Sequence, residues 1–301
     1  MSRNVAEALG AARERLAALG AGASDAAELM SRLIGCGRAD LLREGAHALG
    51  AEEDRTFESW LTRRERGEPV QYITGRAAFR RLDLMVTRDV LIPRPETEWL
   101  VEAVLEVLGA EAIRWPHPRV LDLGTGSGAI ALAITTEWPA ARVTATDASE
   151  AALAVAHANA AALSATVEFV HGDWFGAVGG DDRFEIVISN PPYIATGEWD
   201  ELPEDVRAFE PQIALFSGAS GLDAIREIVD EAPRHLVASG LLALELAEAR
   251  ALEVAGWLEG AHDWAEVSLR DDLADRPRVL LARRAAGPAI APAQWVEERE
   301  P

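Results

Sequence analysis

Residues 119–138 constrain the chain more tightly than any other stretch. Arg119-Val120-Leu121-Asp122-Leu123 is a short apolar strand pattern, Gly124-Thr125-Gly126-Ser127-Gly128 follows at once, and Ala129 to Trp138 is a helical run. Strand, glycine turn and helix in that order predict an open α/β sheet. The glycines let backbone approach a bound ligand closely and take up dihedral angles that other residues resist. A second strand, Arg142 to Thr146, ends in Asp147, about 20 residues past the turn, where a carboxylate can accept hydrogen bonds from ribose hydroxyls. The turn is ambiguous taken alone, because Gly124-x-Gly126-x-x-Ala129 also satisfies the dinucleotide fingerprint, so a nicotinamide oxidoreductase has to be weighed.

Downstream residues shift that balance. Asp122 sits at a strand end just before the turn, where its carboxylate could organise the loop. Val167 to Val170 reads as a third strand running into Gly172-Asp173-Trp174-Phe175, which supplies an acid and an aromatic face suited to adenine. A fourth, buried strand, Phe184 to Ser189, runs into Asn190-Pro191-Pro192-Tyr193. Two consecutive prolines end the strand, fix two φ angles and remove two backbone donors, leaving a rigid rim rich in acceptors. Such a rim suits a planar NH2 group whose delocalised lone pair must be turned toward an electrophile. With all four strand ends on one edge of a parallel sheet, the pattern favours S-adenosylmethionine as cofactor. The oxidoreductase reading fits the turn and Asp147 but gives Asn190 to Tyr193 no role. A strand-ending loop with Asn as a turn residue would account for the tetrapeptide by itself.

At this point the chain resembles a known family. Pro69 to Gly75, Leu91 to Glu98, Asp122 to Ala131, Gly172 to Phe175 and Asn190 to Ile194 are similar, in order, to segments of the bacterial peptide chain release factor glutamine methyltransferases. The likeness spans roughly residues 1–284. It implies an α/β fold: a Rossmann-like, seven-stranded S-adenosylmethionine-dependent methyltransferase domain, preceded by a small all-α domain and a linking β-hairpin. It also implies methyl transfer to the side-chain amide nitrogen of the glutamine in the Gly-Gly-Gln motif of class I release factors, with S-adenosylhomocysteine as the second product. Residue by residue, the catalytic group is then Asn190, Pro191, Pro192 and Tyr193. The cofactor group is Asp122, Gly124, Thr125, Gly126, Ser127, Gly128, Asp147, Asp173, Trp174 and Asn190. Arg94 and Glu98, near the cofactor in the family, would contact it, position the tetrapeptide or form an interdomain ion pair. Glu245-Leu246-Ala247 departs from the family's usual Glu-Ile-Gly. A ribosomal-protein glutamine methyltransferase and a DNA adenine N6 methyltransferase remain as alternatives.

Composition bears on the partner. The 29 Lys and Arg against 50 Asp and Glu give a net charge of -21, which opposes stable binding to a phosphate backbone. Arg63, Arg64, Arg66, Arg76, Arg80, Arg81, Arg88 and Arg94 nevertheless gather before the catalytic domain, either to grip a partner or as a solvated helix end and hairpin. Cys36 is the only cysteine, so no intramolecular disulfide forms and a reducing, cytoplasmic setting is expected. Glu7, Arg13, Glu14 and Arg15 interrupt the N-terminal apolar residues, so neither a signal peptide nor a membrane span is read there. The six histidines have no ligand spacing, and no metal is expected. A monomer is expected.

The organisation expected along the chain is a helical recognition domain over 1–75, a hairpin over 76–92, the methyltransferase domain over 93–284 and a disordered tail over 285–301. Val5, Leu9, Ala12, Leu16 and Leu19 mark a first helix ended near Gly20 and Gly22; a second starts at Asp25 and stops at Gly35. Short helices follow over Asp40 to Glu44 and Glu52 to Arg66, the latter burying Phe57, Trp60 and Leu61. Another spans Glu96 to Leu108 with Trp99, Leu100, Val104 and Leu108 inward. Residues 195–220, including Val206 to Pro211, read as a long lid or binding loop. After it come a helix at Leu222 to Leu236, a strand at Leu241 to Leu246, a helix at Arg250 to Glu259, and strands near Ala265 to Leu269 and Arg278 to Ala282.

Overall fold

The computed structural model describes residues 3–17 and 22–287. The chain divides into two compact units. The first runs to Ala77 and also gathers Val86–Arg88 and Glu201–Glu210; the second comprises Ala78–Met85, Asp89–Asp200 and the chain from Pro211.

The first unit is helical. Helix α1 (Val5–Leu16) opens on Asn4, whose side chain accepts from the Glu7 backbone while Glu7 accepts from the Asn4 backbone. That reciprocal cap satisfies two otherwise orphan N–H groups. Helix α2 (Gly22–Ile34) starts three residues before the expected Asp25, and Gly22 lies so close to the Leu16 backbone that a Cβ would stand 2.7 Å from the Leu16 carbonyl carbon. The expected end of α1, with Leu19 and Gly20, falls outside the described residues. The helix expected over Asp40 to Glu44 is replaced by two 3-10 turns, Arg38–Asp40 and Glu44–Ala46. Five residues next to Gly45 make too few hydrogen bonds to sustain an α-helix. Helices α3 (Ala51–Glu65) and α4 (Val70–Thr74) complete the unit, and its core is Val5, Leu9, Leu16, Leu29, Met30, Phe57, Leu61 and Ile73. Trp60 is only partly buried against it.

The arginines gathered here are largely committed within the protein. Arg63 grips buried Glu68 through two bonds of 2.8 Å, Arg88 reaches the same carboxylate at 3.0 Å, and Arg64 pairs with Asp25 at 2.6 Å. These side chains fasten the unit to itself, which removes them from the basic patch that the sequence suggested. In the second unit Arg80 bonds Glu137 and Glu102.

Strands β1 (Arg76–Phe79) and β2 (Leu82–Met85) form a hairpin where the chain passes into the second unit. The second unit is a seven-stranded sheet in the order β5-β4-β3-β6-β7-β9-β8. Its strands are β3 (Arg119–Leu123), β4 (Arg142–Asp147), β5 (Glu168–His171), β6 (Phe184–Ser189), β7 (Leu236–Glu245), β8 (Trp264–Asp271) and β9 (Pro277–Arg284). The first five of these pair parallel; β9 runs antiparallel between β7 and β8. β7 begins five residues earlier than the expected Leu241, with its pairing to β6 shifted between Phe184 and Ile186.

Alternation along the strands divides the core in two. Val120, Val143, Ala145, Ile186, Ile188, Leu241 and Ala243 meet helices α5 (Pro95–Ala110) and α6 (Ala129–Glu137). Leu121, Leu123, Val187, Leu242 and Leu244 meet α9 (Asp223–His235) and α10 (Glu248–Glu259) on the other face. Helix α7 (Glu150–Leu163) links β4 to β5, and α8 (Glu204–Phe209) interrupts what the sequence suggested was a continuous loop. On α5 the inward set is Leu100, Val101, Val104 and Leu108, but Trp99 is 39% exposed and Thr97 is buried instead. At 100° per residue Trp99 projects away from the stripe formed by 97, 100, 101, 104 and 108.

Glu68 gives this description a test. Its two arginines hold the carboxyl down at about 2, the bond to Arg63 contributing most. Because the folded value lies below the ordinary value, the stabilisation is full above about pH 4.5 and is lost as pH falls toward about 2. Glu68→Gln should therefore cost about 1–2 kcal/mol at pH 7, measured by urea denaturation, with the gap to wild type closing on acidification. A gap independent of pH would show that the ion pairs do not carry it.

Candidate active site

The sheet reverses its order of connection between β3 and β6, and ligands in open α/β folds bind at such a switch point, beyond the carboxyl ends of the strands. An open cleft lies there. It is lined by Gly124 and Gly126 after β3, Asp147 to Ser149 after β4, Gly172 to Trp174 after β5, and Asn190 and Pro192 after β6. Asp89 to Leu91 and Pro211, Ile213 and Ala214 close its sides.

The glycine turn is held from the neighbouring strand. The backbone N–H groups of Gly124 and Thr125 both donate to the Thr146 carbonyl at 2.9 Å, and Gly126 N–H donates to Asp147 Oδ2 at 2.8 Å. Gly124 has φ 70° and lies under Trp174, where a Cβ would stand 3.4 Å from the indole. Gly128 has φ 82°, opens α6, and leaves 3.0 Å between a Cβ and Leu132 Cδ1. A side chain at either glycine would combine backbone strain with crowding.

Two carboxylates brace this turn differently. Asp122 is fully buried beneath it and does not line the cleft. Its Oδ2 accepts from the Thr125 hydroxyl at 2.6 Å and from Ala131 N–H at 3.2 Å, joining the turn to α6, and Oδ1 has no partner among the described residues. Burial pushes its carboxyl up to about 7, against the opposing pull of those two donors. Asp147 does face the cleft. Its Oδ1 accepts from Ser149 N–H and its Oδ2 from Gly126 N–H, and burial raises its pKa while these donors resist. Each of its oxygens keeps further acceptor capacity for a diol.

Of the other expected cofactor residues, Gly124, Gly126, Asp173, Trp174 and Asn190 line the cleft, whereas Thr125, Ser127 and Gly128 lie behind it. Ser127 is buried and its carbonyl accepts from Asn159 at 2.9 Å. In the tetrapeptide, Asn190 and Pro192 line the cleft, Pro191 is buried, and Tyr193 packs partly buried on the α9 side of the sheet, its phenol pushed up to about 12 chiefly by burial. Ser189 anchors the approach through a 2.7 Å bond to the Leu123 carbonyl. The Asn190 amide nitrogen donates to the Thr97 hydroxyl at 3.1 Å.

Several of these residues carry no signature in the sequence. Thr97 and Ser149 are common helix-start residues, and Gly221 matters because a Cβ there would stand 2.6 Å from the Tyr193 carbonyl oxygen. Burial of a polar residue among apolar neighbours, as at Thr97, is the one signal that could have flagged it. Glu98 acts outside the cleft: its carboxylate accepts from Arg80 N–H at 2.8 Å at the tip of the hairpin, where Arg80 has φ 52°. Among the described residues no group of three or more His, Cys, Asp or Glu is placed to hold a metal ion, and no helix is long and apolar enough to cross a membrane.

Comparison with known proteins agrees with this architecture. Residues 7–75 match the profile of the PrmC N-terminal domain and residues 101–202 that of the methyltransferase small domain. A release factor glutamine methyltransferase of Cereibacter sphaeroides is 45% identical over 282 residues, 92% of this chain and 98% of the relative. One of Koribacter versatilis is 41% identical over 251 residues, 83% and 87% of the two chains. A methyltransferase structure from Pyrococcus furiosus shares the fold with a TM-score of 0.50 at 19% identity, covering 69% of this chain and 91% of that one. The fold and the matched domain define a methyltransferase. More narrowly, the chain belongs to the release factor glutamine methyltransferase family.

The buried Asp122 yields a prediction with a definite sign. Its folded pKa is above that of the unfolded chain, so the folded state holds the proton to higher pH and loses stability as pH rises from about 4 to about 7. Asp122→Asn cannot titrate and keeps acceptor and shape. In thermal melts its stability relative to wild type should therefore climb over that window and level off above it. A constant difference from pH 4 to 8 would exclude a raised Asp122.

Proposed function

We propose that this protein transfers the methyl group of S-adenosylmethionine to the side-chain amide nitrogen of the glutamine in the Gly-Gly-Gln motif of class I peptide chain release factors. The observation that carries the reading is the placement of Asn190 and Pro192 on the same cleft as Gly124, Gly126, Asp147 and Trp174. An acceptor rim for a planar NH2 and a cradle for a nucleoside thus open on one space. The family membership supports the substrate.

In this reading S-adenosylmethionine supplies an electrophilic sulfonium methyl. Asp147 accepts from the ribose hydroxyls, Trp174 covers the adenine, and backbone of the glycine turn approaches the amino acid end. Asp122, with Thr125 and Ser127, holds that turn in shape from behind. Asn190 Oδ1 and the Pro191 carbonyl accept from the two N–H bonds of the glutamine amide, which turns its lone pair toward the methyl, and Tyr193, packed on the α9 side, braces the tetrapeptide from behind. Held in the cleft by Gly124, Gly126, Asp147 and Trp174, the cofactor would supply the methyl to the amide nitrogen, the bonding pair staying with the departing sulfide. The nitrogen becomes acidic as conjugation is lost and releases its proton to water, so no strong base is needed. Positioning and exclusion of water then supply most of the rate, with a ceiling of about 7–11 kcal/mol for ideal alignment.

The 1–75 domain contributes to recognition of the release factor, and a single chain suffices without stable nucleic acid binding. A translation factor as substrate places the reaction in the cytoplasm, where Cys36 remains a thiol.

Mass spectrometry of a class I release factor incubated with the protein and S-adenosylmethionine should find one added methyl on the Gly-Gly-Gln glutamine. Asn190→Ala should lower kcat by roughly 100-fold or more, the scale of losing one polar contact to the reacting group, with cofactor affinity within about threefold of wild type. Equal loss of turnover and binding would remove the role given to Asn190. Methylation of a ribosomal protein or of adenine instead would redirect the substrate assignment. Trp174→Ala should show the opposite split, weakening cofactor binding in calorimetry by about tenfold, the scale of one lost aromatic stack, with kcat at saturation little changed.

A further inference from the structure

Behind Asn190 lies a buried acid that the cleft does not use. Glu245 is the last residue of β7 and is 1% exposed. The parallel register pairs Leu244 with Ser189, so Glu245 and Asn190 are the next residues along two adjoining strands. Ile188 and Ala243 face α5, and alternation turns Asn190 and Glu245 toward the same helix. There Thr97, 4% exposed on the first turn of α5, accepts the Asn190 amide nitrogen at 3.1 Å, and its hydroxyl lies close enough to Glu245 to pull that carboxyl's pKa down against burial. Glu245 Oε2 has no partner among the described residues.

A threonine hydroxyl has one proton to give. An ionised carboxylate only accepts, so the hydroxyl donates to Glu245 and turns its lone pairs to Asn190. Asn190 must then present Nδ2 to Thr97, which leaves Oδ1 as the end of the amide available to the cleft. Without an obligate acceptor behind it, the hydroxyl could donate to Asn190 Oδ1 and the amide would be free to reverse.

We propose that Glu245 is a positioning residue, acting through the Thr97 hydroxyl to fix which end of the Asn190 amide faces the substrate. The catalytic consequence rests on the function proposed above; the orientation itself does not. Burial pushes the Glu245 carboxyl up to about 7, and Glu96 adds to this, while the Thr97 bond, Arg278 and Arg94 oppose it. The tests therefore belong at pH 8, where the carboxylate form prevails.

The chain has only three asparagines, Asn4, Asn159 and Asn190, so selective 15N-asparagine labelling gives a side-chain amide spectrum that Asn190→Ala assigns directly. The full-length protein, saturated with S-adenosylmethionine, would be compared as wild type, Glu245→Gln, Thr97→Val and Thr97→Ser. Glu245→Gln and Thr97→Val should move the Asn190 amide protons and lower kcat roughly tenfold, the scale of one hydrogen bond. Cofactor affinity should stay near wild type and every variant should keep its native near-UV circular dichroism, with Thr97→Val melting somewhat lower because it leaves buried polar groups unpaired. Thr97→Ser, which keeps the hydroxyl, should restore both the spectrum and kcat to within about twofold. The double variant Thr97→Val, Glu245→Gln should lose no more than the worse single one, because both act through one amide. Unchanged Asn190 resonances in folded Glu245→Gln and Thr97→Val protein would overturn the proposal, as would additive losses in kcat. If wild type fails to methylate the release factor, the proposed function fails, and the amide spectra still decide the relay.

Discussion

The backbone of Gly124 to Gly126 cannot hold its shape alone, because its two glycines sit at positive φ as one of many conformations that the unfolded chain samples freely. What fixes it is the end of the next strand. The Thr146 carbonyl takes two of its N–H groups and the Asp147 carboxylate a third, so β3 and β4 must be in register before the turn exists. The cleft then follows from the sheet. Trp174 rests on Gly124, the Gly172 N–H donates to the Asp147 carbonyl, and Ser189 ties the end of β6 to the Leu123 carbonyl. Three connections separated by dozens of residues are thereby locked to one short turn.

Acids do different work according to what surrounds them. Asp122 and Glu245 are buried with one oxygen unpartnered each, and burial raises both carboxyls to about 7. Neither lies on the cleft. Asp122 accepts from the Thr125 hydroxyl beneath the glycine turn, and Glu245 is buried beside Thr97, which accepts the Asn190 amide. Glu68, less deeply buried and gripped by Arg63 and Arg88, is held down at about 2 and fastens its own unit. Two hydrogen-bonded arginines hold the Glu68 carboxyl down, whereas for Asp122 and Glu245 burial outweighs the donors and charges around them and pushes both up.

The sheet was legible because its strands are apolar runs bounded by glycine, proline and aspartate, and because four of them end in residues with recognisable chemistry. Helix α5 was legible too, except that Trp99 was read as inward on size and hydrophobicity when the helical angle places Thr97 on the buried stripe. The 3-10 turns after Cys36 and helix α8 escape the sequence pattern for a different reason: elements this short are decided by neighbours rather than by their own propensity. The arginine-rich stretch looked like a basic surface, since its partners Asp25, Glu102 and Glu137 lie 22 to 57 residues away in the chain.

By itself the sequence determined the order of strand, turn and helix, the residues at the strand ends, and the family whose motifs they match. Those features are local: proline and glycine dihedrals, alternation of apolar residues, and a strand too apolar to be anything but buried. Tertiary structure alone decided that Asp122 sits behind the turn and Asp147 before it, and that Thr97 and Glu245 meet at Asn190. The physical reason is that a hydrogen bond between residues 93 positions apart, as between Thr97 and Asn190, depends on register and helix packing, neither of which leaves a mark on the residues themselves.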